Sequence, residues 1–344
     1  MNKINGLNAA VIGFGYWGPN LARNLVANQK FKLKYICDQS STARDRAKIQ
    51  YPNVHVISNY LNILEDREID AVFIATPPST HFTITKNALK SGKHVLVEKP
   101  LARSSIECMN LIEEADKNSC VLMVDHTFTY TSAVRKMKEL GSSSIGDLLY
   151  YDSIRINLGI FQRDINVLWD LAVHDLSILD NVSSYTPTAV SATGHAHVEG
   201  YPYNTAYLTL FYNEPFIAHI HCSWMAPVKI RKTLLGGSKK MIVYDDLEPT
   251  EKIKVYDKGI SINPTPEEKF SLRVDYRSAD VFSPKLDAKE ALFLMLEEFF
   301  DSITTGRKPM TGPHSGMRIV SILEAADISL SKKGAPVEIS VTNV

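Results

Sequence analysis

Cysteine is scarce and scattered in this chain. The four present, Cys37, Cys108, Cys120 and Cys222, form no CxxC pair and no Cys/His ligand spacing, so neither a disulfide framework nor a zinc finger is expected. Free thiols such as Cys37, set in an apolar run, suit a reducing compartment. No stretch approaches the roughly 18 apolar residues of a membrane span. The apolar part of MNKINGLNAAVIGFGYWG is broken too soon by glycines for a secretory signal, and a cytoplasmic location is expected. A charge excess is missing as well. Lys plus Arg and Asp plus Glu both number 38, so nothing points to nucleic acid or an anionic membrane as a partner. Internal repeats and low-complexity segments are also lacking. What remains is an ordinary globular composition, 44% hydrophobic and 22% charged, over 344 residues, a length that suggests two domains.

The first 125 residues alternate short apolar runs with amphipathic stretches. Strands are expected at 8–14, 32–38, VHVI, 71–76, 94–99 and 121–127, with helices at 19–29, 41–50, 83–92 and 105–119. Alternation of this kind argues for a parallel, doubly wound sheet. After residue 125 the pattern changes. LLYYDSIRIN (148–157) alternates as a half-buried strand, and an apolar helix covers 165–182. SATGHAHV, TAYLTLFY, FIAHIHCS, RKTLLGG, KMIVYDD and KIKVYD then follow without intervening helices, which favours an antiparallel sheet. Residues 258–287, rich in Pro, Asp and Lys, read as an exposed excursion, and helices are expected at 289–306 and 316–334. The expected architecture is an α/β dinucleotide-binding domain over 1–125 and an α+β domain with a mainly antiparallel open sheet over 126–344. The last helix is allowed to pack back on the first domain.

Gly13-Phe14-Gly15-Tyr16-Trp17-Gly18 is a GxGxxG between the first strand and the first helix. Its first glycine permits a tight turn, its second lets the backbone approach a pyrophosphate, and its third allows close packing of helix on strand. The phosphates then sit at the helix N-terminus. Asp38 follows 20 residues beyond Gly18, at a strand end, where a carboxylate accepts ribose hydroxyls and repels a 2′-phosphate. NAD is therefore favoured over NADP, although Arg44 nearby could hold such a phosphate.

Lys99 ends the run HVLVEKP, and carboxyl ends of parallel strands are where ligands bind in open α/β sheets. A lysine there can hydrogen-bond a substrate hydroxyl, and Pro100 restricts it to an extended conformation. Residues 168–179 read LWDLAVHDLSIL and place Asp170 and His174 in an otherwise apolar helix, on one stripe with Ser177 and Asn181. Such polar groups are costly to bury unless satisfied, so the pair either locks the helix in place or does chemistry. Thr76, Pro77 and His81 form the loop after another strand, where His81 either braces the loop or touches a ligand.

These residues together resemble the glucose–fructose oxidoreductase, inositol dehydrogenase and MocA (Gfo/Idh/MocA) family. The resemblance runs through GFGYWG, Asp38, ATPPSTH (75–81), GKHVLVEKP (92–100), WDLAVHD (169–175), EEFFDSITTGRKPMTG (297–312) and the GMRIVSILEAADIS helix. It implies a Rossmann domain, a C-terminal open sheet that packs subunits into a homodimer or homotetramer, and hydride transfer between the nicotinamide and a sugar or polyol carbon. Lys99 matches the lysine of the family's Glu-Lys-Pro motif, with Glu98 beside it at the cofactor. Asp170 and His174 match its DxxxH motif, with Ala172 where glycine is common. His174 is then the acid/base and Asp170 orients it or the substrate.

Arg155, Asn157, Gln162 and Arg163 precede the DxxxH helix, and Trp224, Lys229, Arg231 and Lys232 lie in a later strand-like run. Such donors suit a polyhydroxylated, anionic substrate, or else form a solvated basic strand face. This region is similar to the nucleotide-sugar and polysaccharide-biosynthesis branch of the family, which implies a UDP-linked amino sugar handled at C3. Three readings stay open: a sugar or nucleotide-sugar dehydrogenase, a ketosugar reductase using NAD(P)H, and a non-enzymatic NAD-binding regulatory protein. His195, His197, His219 and His221 alternate at strand spacing with no carboxylate or cysteine at ligand spacing, and no metal is expected.

Overall fold

The computed structural model describes residues 6–159, 161–257 and 280–340. The chain divides into two compact units, Met1–Tyr130 with Lys289–Ser321, and Thr131–Ala288 with Ile322–Val344. Among the described residues no helix is long and apolar enough to cross a membrane.

The first unit alternates β1 (Leu7–Ile12), α1 (Gly18–Ala27), β2 (Phe31–Cys37), α2 (Ser41–Gln50), β3 (His55–Ile57), α3 (Leu61–Glu65), β4 (Ala71–Ile74), α4 (Pro78–Lys90), β5 (His94–Glu98), α5 (Ser105–Lys117) and β6 (Leu122–Asp125). The strands form one sheet in the order β3-β2-β1-β4-β5-β6, and every pairing is parallel. The order reverses between β1 and β4, so the carboxyl ends of these two strands flank the crevice where such sheets bind ligands. β4 is buried along its whole length, as its unbroken apolar sequence AVFI requires of a strand covered on both faces.

The second unit contains α6 (Ser132–Ser143), β7 (Leu148–Leu158), a π-helical turn at Leu168–Ala172 continuous with α7 (Val173–Val182), and the strands β8 (Ala189–His195), β9 (Thr205–Phe211), β10 (Ile217–Ser223), β11 (Met225–Gly237), β12 (Met241–Asp245), β13 (Ile253–Tyr256) and β14 (Val281–Phe282). α8 (Ala291–Thr305), α9 (Pro313–Ser331) and β15 (Val337–Glu338) complete the chain. The second sheet runs β14-β13-β12-β11-β7-β10-β9-β8-β15. Its pairings are antiparallel except for β7 with β10, which are parallel.

The sequence expectation placed 126–344 in one domain and allowed only the last helix to pack back on the first. The structure returns 289–321 to the first unit instead. Leu292, Met295, Leu296 and Phe299 of α8 join the buried cluster of Leu21, Leu25, Phe31 and Phe73, with Phe73 edge-on to Phe299 at 5.4 Å between centroids. An amphipathic helix goes where its apolar face is covered, and sequence position does not reveal which sheet covers it. α3 and α6 were not anticipated. α6 is nucleated by the Thr131 side chain, which accepts from Val134 N at 3.3 Å. Of the expected excursion, residues 258–279 lie outside the described residues, and β14 occupies part of the rest.

Candidate active site

In the first unit the turn after β1 shows why glycines stand where they do. Gly13 has φ +97°, and a Cβ on it would lie 2.4 Å from Ala75 O; one on Gly18 would lie 2.1 Å from Gly13 O. Both positions exclude any side chain. Gly15 differs, because a Cβ there meets nothing within 4 Å. Its exposed backbone leaves the open cradle that a pyrophosphate needs beside the N-terminus of α1. Tyr16, 88% exposed, stacks on Trp17 with 6.4 Å between ring centroids. At the end of β2, Asp38 Oδ2 accepts from Phe14 N at 2.6 Å and Oδ1 from Ser40 N at 2.7 Å. The carboxylate is thus aimed by the same turn that receives the phosphates, and each oxygen keeps a lone pair for a ribose hydroxyl. These residues fit a dinucleotide.

Two arginines of α2 border this carboxylate. Arg44 Nη1 donates to the carbonyls of Asp38 and Gln39 at 2.9 and 2.7 Å, and Arg46 Nη2 donates to those of Phe14 and Gly15. Both guanidinium groups are thus engaged by main-chain carbonyls, and the Asp38 carboxylate beside them is a charge of the kind that disfavours a 2′-phosphate. Asp38→Ser is expected to raise the KM for NAD by about tenfold or more, the worth of charge-assisted hydrogen bonds, and to let NADP compete. Initial rates with both cofactors check this, and an unchanged NAD-to-NADP preference would contradict it.

At the neighbouring strand ends, Thr76 accepts from the Thr80 hydroxyl at 2.7 Å and Pro77 is exposed. His81 is fully buried, with Nδ1 2.8 Å from Pro100 O and Nε2 2.8 Å from Thr76 O. Burial pushes its pKa down, against the opposing pull of those two carbonyls. The expectation that His81 contacts the cofactor is therefore corrected. The buried ring sits between carbonyls of the loops after β4 and β5, and the nitrogen that carries the proton donates to one of them, which is the bracing role the sequence allowed. The Lys99–Pro100 bond is cis, and Lys99 is partly accessible, with its main-chain N–H 3.3 Å from Glu98 Oε2.

In the second unit every residue from Val167 to Leu179 is buried except Asp170 and His174. A π-helical turn spans Asp170, and of the stripe expected of a regular α-helix Asp170, His174 and Asn181 are partly accessible while Ser177 is buried. Ser177 is buried and its hydroxyl donates to His174 O at 2.7 Å, while Asn181 Oδ1 accepts from Lys138 Nζ at 3.0 Å. Asp170 Oδ2 accepts from the indole of Trp224, a fully buried side chain, at 3.0 Å. Asn166 Oδ1 receives the amides of Leu168 and Trp169 and so caps the turn. Asp327 of α9 then accepts from Asn166 Nδ2 at 2.7 Å and from the Trp169 indole at 2.8 Å. Sequence reasoning missed Asn166 and Asp327. Only the Asn before an apolar run, as a cap signal, could have pointed to the first.

The expected substrate contacts separate. Arg155 is buried on β7, its Nε 2.6 Å from Asp175 Oδ2 and its Nη2 3.2 Å from Oδ1, which corrects its assignment to a ligand. Burial alone would lower its pKa, but the Asp175 charge and hydrogen bonds outweigh that and hold it raised. Arg231 pairs with Asp246 at 3.2 Å. Asn157 is half-buried in β7, between the partners of Met225 and Ile230, where β11 bulges and carries Lys229 into solvent. Arg163 is exposed and lies over the Tyr201 ring at 5.3 Å, with Nε 3.2 Å from its hydroxyl.

A doubly wound sheet with a glycine turn built to admit a dinucleotide, in a chain that also holds a large mixed sheet, defines a dinucleotide-binding class of protein. Residues 7–126 match the model of the Gfo/Idh/MocA family, described as an oxidoreductase family with an NAD-binding Rossmann fold. Over 322 residues the chain is 26% identical to UDP-N-acetylglucosamine 3-dehydrogenase of Acidithiobacillus ferrooxidans, covering 92% of this chain and 94% of that one. A solved structure of UDP-N-acetylglucosamine 3-dehydrogenase from that organism aligns with a TM-score of 0.81 at 22% identity, over 95% of this chain and 99% of the other. GenD2 from gentamicin A biosynthesis, solved in complex with NAD, aligns with a TM-score of 0.82 at 19% identity, over 99% and 98% of the two chains. At these identities the structures establish the fold. Residues 7–126 thus match the NAD-binding Rossmann domain of the Gfo/Idh/MocA oxidoreductase family, and nearly the whole chain is similar to a dehydrogenase.

Proposed function

We propose that the protein oxidises a hydroxyl-bearing carbon of a sugar or nucleotide sugar, with a UDP-linked amino sugar and its C3 hydroxyl as the particular substrate. His174 takes the hydroxyl proton, Asp170 orients the imidazole or the substrate, and Lys99 hydrogen-bonds the reacting oxygen. NAD, when bound, accepts the hydride. One observation carries this reading: from Val167 to Leu179 the only partly accessible side chains are a carboxylate and an imidazole, the pair that acid–base chemistry on an alcohol needs. The similarity to UDP-N-acetylglucosamine 3-dehydrogenase over nearly the whole chain supports the substrate class. The same groups serve a ketosugar reductase in the opposite direction, with His174 returning the proton. Arg163, Lys229 and Asn157 are the candidate contacts for the substrate's anionic and hydroxyl groups. The test is nicotinamide reduction on addition of UDP-linked amino sugars, with free sugars and polyols alongside.

The protein is also proposed to be a homodimer or homotetramer formed through the second sheet. Cross-strand register puts Tyr150, Ile217 and Phe211 in one row and Ile154 and Tyr207 in another on one face, and all five are exposed. Between these rows lies a polar one, in which His219 Nδ1 is 3.1 Å from Asp152 Oδ1, and a mixed face of this kind, with several exposed apolar side chains, suits a second copy. Ile154→Glu is expected to convert the assembly to monomers, read by light scattering after size exclusion. An unchanged assembly would contradict the assignment of that face.

A further inference from the structure

At the carboxyl ends of β5 and β6, Glu98 and Asp125 are direct partners in the parallel register. Asp125 is 2% exposed. Its Oδ1 accepts from Thr127 N at 3.0 Å and from the Thr127 hydroxyl, and its Oδ2 accepts from Trp17 Nε1 at 3.1 Å. Glu98 Oε2 lies 3.3 Å from Lys99 N, while its buried Oε1 has no donor among the described residues. A proton on Glu98 converts this apposition of two carboxyls into a hydrogen bond to Asp125. Trp17 is the residue of the glycine turn that bears the stacked, exposed Tyr16 next to open Gly15. One buried carboxylate thus touches both the turn that receives the cofactor and the strand end that leads into Lys99.

We propose that Asp125 is a positioning residue for the cofactor, holding the Trp17 indole, and with it the glycine-rich turn, in register with the Glu98–Lys99 end of β5. It acts through Trp17 and Glu98 and does not touch the cofactor itself. The arrangement carries a pH dependence. Burial, and then the Asp125 charge, push the Glu98 carboxyl well above its ordinary range, with Lys99 opposing them. Among the described residues, the charged or titratable groups acting on this pair include Lys99 on the Glu98 side and Tyr130 on the Asp125 side. Because the raised group is an acid, its proton is present at low pH and is lost as pH rises through the raised value. Loss leaves two carboxylates face to face and loosens the hold on Trp17.

The test needs no substrate, so its failure and the failure of the proposed sugar chemistry are distinguishable. Asp125→Asn offers one acceptor oxygen where aspartate has two. With that oxygen claimed by the two Thr127 donors, an NH2 group faces the indole N–H. NADH affinity would be measured by titration of nicotinamide fluorescence in the full-length protein, for Asp125→Asn, Trp17→Phe and the double variant. Each single change is expected to raise the Kd about tenfold, the worth of a hydrogen bond to a charged group. The double variant is expected to be no worse than the weaker single one, because both remove the same contact. In the unaltered protein the Kd is expected to rise with alkaline pH, and in Asp125→Asn this rise is expected to vanish. Additive losses, or an alkaline rise that survives in Asp125→Asn, would overturn the proposal. Should Asp125→Asn fold poorly, Trp17→Phe alone still decides: an unchanged Kd and an unchanged pH profile would overturn it.

Discussion

His174→Ala is expected to lower turnover by about 10²–10⁴-fold while leaving NADH affinity unchanged, since the loss is that of a positioned acid/base and nothing else. The position allows a clean experiment. His174 is partly accessible in a helix whose neighbours are buried, so truncation to alanine removes the imidazole with little disturbance to packing. A histidine serving only to hold the helix would show the reverse pattern, a lower melting temperature with turnover retained per folded molecule. Asp170 is expected to give a milder version. It is fixed by the Trp224 indole at 3.0 Å, and Asp170→Asn keeps an acceptor there while losing the charge.

Arg155→Ala is expected to cost about 3–5 kcal/mol of folding stability, because it leaves the Asp175 carboxylate buried without its partner. The two side chains are 3% and 2% exposed, and the contact uses both carboxylate oxygens. Urea unfolding measures this directly. Were Arg155 a substrate contact, the same change would instead raise KM for the substrate and leave the unfolding midpoint where it was. Replacing Arg155 and Asp175 together with apolar residues of similar volume is expected to recover much of the loss, as buried ion pairs commonly do.

Arg155 also shows where sequence reading stops. On a strand, alternate residues face opposite sides, and Arg155 falls on the same side as Tyr151 and Ser153, both buried. Alternation alone could not say which face of β7 was covered, and a single arginine reads equally well as an anion contact or a core ion pair. The Rossmann half was legible because its signals are local: strand, glycine turn, helix, and an acid at the next strand end. There the first and third glycines are explained by contacts too short for any Cβ, and the second by open space. His81 was ambiguous for the same reason as Arg155, since its two carbonyl partners belong to separate loops. The π-helical turn at Asp170 was invisible to a 3.6-residue template, which expected a regular helix through that residue. Asp125 escaped notice because its partners, Trp17 and Glu98, come from distant parts of the sequence and meet only in the folded sheet.

The most direct measurement is the growth of the reduced-nicotinamide absorbance band when the protein and NAD are given UDP-N-acetylglucosamine and related UDP-linked amino sugars, in parallel for the unaltered protein and His174→Ala. NADH is expected to form with at least one of these sugars in the unaltered protein and to fail to form in the variant, although the variant still binds the cofactor. No NADH from any of them, or equal rates in the two proteins, would contradict it.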